Sequence, residues 1–167
     1  MINQINKILQ QASYQTEINR INELSTDKIG VLINVDDSPV DKPQMLEILF
    51  IDTIEKATDG LSMLQFFITL NFKISSNENI RTDLLKVLSE INYTLATGSF
   101  NVKIDQAYIF LKYNLSLIKE SESELKPKVL KIVWLLNRHL NVYHKILKNV
   151  ASGTLTYTEI MTNKMLP

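Results

Sequence analysis

The segment LSMLQFFITLNFKI, Leu61 to Ile74, alternates strictly between two faces. Leu64, Phe66, Ile68, Leu70, Phe72 and Ile74 share one, and Met63, Gln65, Phe67, Thr69, Asn71 and Lys73 share the other. A two-residue period of this length fits an extended backbone and no helix, so the chain has to build a sheet with at least one buried face. Two further segments join it. In KIGVLINVDD, Ile29, Val31, Ile33 and Val35 alternate with Gly30, Leu32 and Asn34. QMLEILFIDTI is apolar on both faces, which predicts a strand covered on both sides.

Helical spacing surrounds these strands. Ile2, Ile5, Leu9 and Ala12 form one short stripe, and residues 14–24 fit either its continuation or an edge strand, with strand favoured. After the N-cap candidates of SSNEN, a second stripe runs through Ile80, Leu84, Val87, Ile91 and Leu95, with Gly98 as its stop. GSFNVKIDQAYIFLKYNL then reads as a hairpin. A turn at Asp105-Gln106 sets Phe100, Val102 and Ile104 across from Leu111, Ile109 and Ala107.

The longest stripe carries Leu125, Val129, Ile132, Leu136, Leu140, Tyr143, Leu147 and Val150, and Gly153 ends it. Pro127 is tolerated near its first turn. The reading is a single α+β domain over residues 1–153, followed by a tail, 154–167, that either adds a short helix or stays loose. Its antiparallel sheet has about five or six strands, with helices at the N-terminus, middle and C-terminus.

Composition narrows the function. Lys plus Arg equals Asp plus Glu at 18 each, so the long-range attraction to phosphate that non-specific nucleic-acid binding uses is missing, and no nucleic-acid partner is expected. With no cysteine, disulfides, thiolate catalysis and cysteine zinc sites fall away together. The first residues lack the basic and apolar regions of a secretory signal. The most apolar run is too short and too polar to span a bilayer. The expectation is a cytoplasmic protein with no membrane partner.

Candidate chemistry is thin. His139 and His144 are five apart and point away from each other on a helix, so they read as half-exposed residues and not as metal ligands. Asp36, Asp37 and Asp41 share a loop that lacks the Gly and closing Glu of a calcium site. Four scattered glycines build neither a P-loop nor a dinucleotide fingerprint. Glu55 and Asp59 have nothing that places them across a cleft, and no nucleophile elbow is present. The chain reads as no enzyme, with no catalytic, cofactor-binding or metal site and no cofactor.

The positive signal is apolar surplus on the outward faces: Met63 and Phe67, Tyr108 and Phe110, and Leu32 all oppose the core set. Either a second layer covers them, or they form a surface for self-association or another chain. Phe67, Tyr108 and Phe110 are therefore the candidate protein-binding residues.

The carboxy-terminal part also resembles the YbjN-type bacterial proteins, which are grouped by fold with type III secretion chaperones. The matching features begin with a helix ending in Ile91-Asn92, then a Gly-x-Phe step at Gly98 to Phe100. An apolar hairpin closing at Tyr113 to Leu115 follows, and then the long helix. The resemblance implies a compact α+β domain, commonly a homodimer, with no catalytic residues and with a protein client bound along apolar surfaces. The combined expectation is a chaperone-like or regulatory protein-binding module. The alternative is a small-molecule-binding or enzymatic domain whose site is assembled from scattered polar residues.

Overall fold

The computed structural model describes residues 1–21, 26–33, 44–51, 61–118 and 121–167. The loop holding Asp36, Asp37 and Asp41 lies outside them, as do Glu55 and Asp59. Helix α1 (Ile2–Gln11) leads into strands β1 (Thr16–Ile21), β2 (Thr26–Ile33), β3 (Gln44–Ile51) and β4 (Leu61–Thr69). Helix α2 (Glu78–Thr94) follows, then β5 (Ser99–Lys103), β6 (Tyr108–Ile118), α3 (Glu122–Ser152) and α4 (Tyr157–Thr162). The protein is α+β, with one six-stranded sheet in the order β1-β2-β3-β4-β6-β5, antiparallel throughout. The segment that fitted helix or strand is strand β1, whose partner β2 offers an apolar run to pair with.

One face of the sheet makes the core. Ile29 and Val31, Leu46 and Ile48, Leu64, Phe66 and Ile68, Ile109 and Leu111, and Phe100 are all buried there. Against them pack Ile5, Ile8 and Leu9 of α1, Leu84, Val87 and Ile91 of α2, and every residue of the α3 stripe read from the sequence. The segment after Gly153 joins this layer. A capping pair between Thr156 and Glu159 starts α4, Ile160 is fully buried, and the Tyr157 N–H donates to Asp83 of α2 at 3.2 Å.

Several boundaries differ from the sequence reading. β4 stops at Thr69, because the chain bends away at Asn71 and Phe72 while β6 still continues to Tyr108; Leu70 and Ile74 bury their side chains without a strand backbone. Their N–H groups donate instead to Ile109 and Ala107. The hairpin keeps the expected register, Phe100 opposite Leu111 and Val102 opposite Ile109. Its turn is longer than two residues, a 3-10 turn over Ile104–Gln106 with Ala107 in the left-handed region at φ 54°. Pro127 is the sixth residue of α3, deeper than the N–H groups left unpaired at any helix start. The Ser123 carbonyl that Pro127 cannot serve lies on an exposed residue, so it is not left buried without a donor.

Helix α2 ends at Thr94 and not at Gly98. Gly98, at φ 75°, instead turns the chain into β5 where an added Cβ would lie 3.2 Å from the Lys112 carbonyl. Two residues earlier than the helix end, Asn92 secures the sheet edge. Its Nδ2 donates to the Phe100 carbonyl and its Oδ1 accepts from the Phe100 N–H, both at 2.8 Å. The side-chain amide thus stands in for one residue of a missing seventh strand. Asn92→Ala strands both Phe100 groups and is expected to cost about 1–3 kcal/mol, read as a lower urea midpoint with an unchanged m-value.

Candidate interaction face of the sheet

The second face of the sheet is built by the alternate positions of the same strands. Register places Leu32 opposite Met45, Leu49 opposite Gln65, and Ile51 opposite Met63. Phe67 lies between Glu47 on β3 and Lys112 on β6, and Phe110 lies between Thr69 and Asn101. None of these apolar side chains belongs to the core cluster or packs against it. Among the described residues no helix lies over this face.

The structure brings the three candidate residues together. Phe67 and Phe110 stack with ring centroids 4.9 Å apart and planes inclined by 29°, and Tyr108 continues the row 5.9 Å from Phe110. The stack joins diagonal neighbours on β4 and β6, within the reach of aromatic side chains on one sheet face. Each ring stays half-buried. Met45, Leu49 and Ile51 extend the apolar area towards β3. Gly30 completes it from β2: its missing side chain leaves room for Met45 Sδ, which an added Cβ would meet at 2.8 Å. Around this centre the residues are polar. Lys28 and Glu47 form an ion pair, and Asn101, Lys112 and Asn114 line a shallow hollow of about 460 Å³ beside Phe110.

The sequence reading found Phe67, Tyr108, Phe110, Met63 and Leu32 on this face, and missed Met45, Leu49 and Ile51. Their signal is the doubly apolar pattern of β3, from which the sequence predicts cover on both sides. Exposed apolar area in the middle of a sheet, rimmed by charges and amides, is suited to contact with another surface and not to bond-making chemistry.

Other polar groups are scattered. A second hollow, about 440 Å³, lies between α3 and β6, floored by Tyr113, Leu115 and Ile132 with Lys128 and Lys131 beside it. Among the described residues no group of three or more His, Asp or Glu is placed to hold a metal ion. The histidines are buried and not half-exposed, because both lie on flanks of α3 that the sheet and its neighbours cover. His144 Nε2 is 3.3 Å from Asn71 Oδ1, and its ring meets Phe72 edge-on at 5.3 Å. Comparison with known proteins finds no matching family model, no matching curated protein and no matching solved structure.

Burial, and secondarily the charge of Arg138, holds the His139 pKa below its ordinary value. A depressed histidine leaves the unfolded chain binding more protons than the native one, so its stability contribution is complete above the unfolded pKa of about 6.5 and is lost as pH falls. Unfolding free energy should therefore decline as pH is lowered from 7 towards 5, and His139→Gln should flatten that decline. Urea titrations at stepped pH measure both.

Proposed function

We propose that this chain is a non-enzymatic protein-binding module, chaperone-like or regulatory, that forms a homodimer through the open face of its sheet. The observation that carries the reading is the Phe67–Phe110–Tyr108 row at the centre of an apolar sheet face that no described element covers. Six strands about 4.8 Å apart and about eight residues long present a face on the order of 700 Å². That is close to the roughly 800 Å² per partner of a standard interface. The rim also suits self-association, since Lys112 and Glu47 stand on opposite sides of Phe67 and a two-fold copy can place each near its opposite. The order helix, hairpin, long helix from α2 to α3 supports grouping the chain with the YbjN-type and type III secretion chaperone-like proteins. A cytoplasmic setting fits the cysteine-free composition. No helix among the described residues is long and apolar enough to cross a membrane.

Replacing Tyr108 and Phe110 together by Ser tests the reading. Neither ring belongs to the core, so the double variant should keep its circular dichroism and lose only about 1–2 kcal/mol of stability from aromatic and cross-strand contacts. Its association should fall by at least about a hundredfold, as expected when central aromatic anchors are truncated. Sedimentation equilibrium across a wide concentration range reads this directly. Wild-type protein that stays monomeric at high micromolar concentration removes the homodimer, and a variant that unfolds removes the claim that these rings serve contact.

A further inference from the structure

We propose that the outer face of α3 is a docking surface for an anionic lipid membrane. From Leu125 to Ser152 the helix carries Lys126, Lys128, Lys131, Arg138, Lys145 and Lys148 and not one Asp or Glu. The whole chain is neutral, so the remaining twelve cations face all 18 carboxylates elsewhere. A neutral chain with one all-cationic helix surface is turned by a negative plane so that this surface approaches first.

The cations are placed to act together. At 100° per residue, Lys131, Trp134, Arg138 and Lys145 fall within about 60° of one line, opposite the buried stripe of α3. All four are exposed, and Lys148 flanks the line; from Lys131 to Lys148 it runs about 25 Å. Lys131, Arg138, Lys145 and Lys148 form no ion pair with a carboxylate among the described residues. Trp134, the one tryptophan of the chain, is 53% exposed, with the Arg138 guanidinium 5.6 Å from its ring centroid. Val142, about two turns further along α3, is also exposed.

Of the two hollows described above, the one beside Phe110 lies on the far side of the sheet, and the one between α3 and β6 meets the line only at Lys131, its first residue, so Trp134, Arg138 and Lys145 line neither. A lipid surface needs none. Its phosphates meet the Lys and Arg side chains, while the headgroup boundary accepts an indole and an aliphatic tip between them. A duplex phosphate backbone offers nothing apolar to Trp134 and Val142. The helix rests on the surface and does not enter it, because its apolar stripe is committed to the core. The open sheet face lies on the other side of the molecule, so docking leaves it available.

Trp134 makes the test direct, since its emission reports only this face. Full-length protein is titrated at low salt with vesicles of mixed phosphatidylglycerol and phosphatidylcholine, with pure phosphatidylcholine vesicles, with polyglutamate and with a DNA oligonucleotide. A blue shift with the anionic vesicles alone, reversed by salt, is the expected result. Arg138→Glu combined with Lys145→Glu should weaken partitioning by at least about thirtyfold, taking each cation's share and the added repulsion together, with circular dichroism unchanged. Unmoved emission with anionic vesicles overturns the proposal. So does an equal shift with neutral vesicles, a shift confined to polyglutamate or DNA, or a charge-reversed variant that binds like wild type.

Discussion

Burial of one face of the sheet beneath α3 is the interaction on which the rest of this protein depends. A 31-residue helix with twelve buried positions fills the space over the strands, and α1, α2 and α4 pack beside it. Once that face is satisfied, every alternate side chain of every strand points the other way, because the period of a strand is two. The chain had a free choice of polar residues there and instead carries phenylalanine, methionine, leucine and isoleucine in the central strands. Among the described residues no element packs on that face, so the described core does not account for its apolar side chains.

The sheet edges are handled differently from the face. At β5 the Asn92 amide occupies both backbone groups of Phe100, which removes one site where another strand could add. A chain that protects an edge while leaving the adjoining face apolar directs contact towards side-chain packing on the face. The charge distribution adds a second direction, since the carboxylates are excluded from α3 beyond Glu124 and the outer helix surface is left uniformly basic. Two unlike surfaces thus lie on opposite sides of one small domain.

Much of this was legible from residue spacing. The α3 stripe, the β4 alternation and the hairpin register all follow from periods of 3.6 and 2 over long segments, where each added residue reinforces the same phase. What failed were features decided by neighbours in space. β4 ends where the chain bends at Asn71 and Phe72, which no local pattern in LNFKI announces. His139 and His144 are buried because the sheet and its loops reach the flanks of α3, and helical spacing alone gave no width for that contact. The doubly apolar β3 was ambiguous for the same reason: its second set of side chains reads identically whether a helix or a partner molecule covers it. Asn92 was noticed only as part of a resemblance, since its work depends on an edge strand eight residues away.

The central claim is that a second copy of this chain covers the Phe67–Phe110 stack. An isotope-filtered NOE experiment on a mixed sample, one half labelled with ¹³C and the other unlabelled, tests it most directly at a concentration where the two copies associate. The account predicts intermolecular NOEs at Met63, Phe67, Tyr108 and Phe110 and none at Trp134. Intermolecular NOEs confined to the helices, with the sheet face silent, would contradict it.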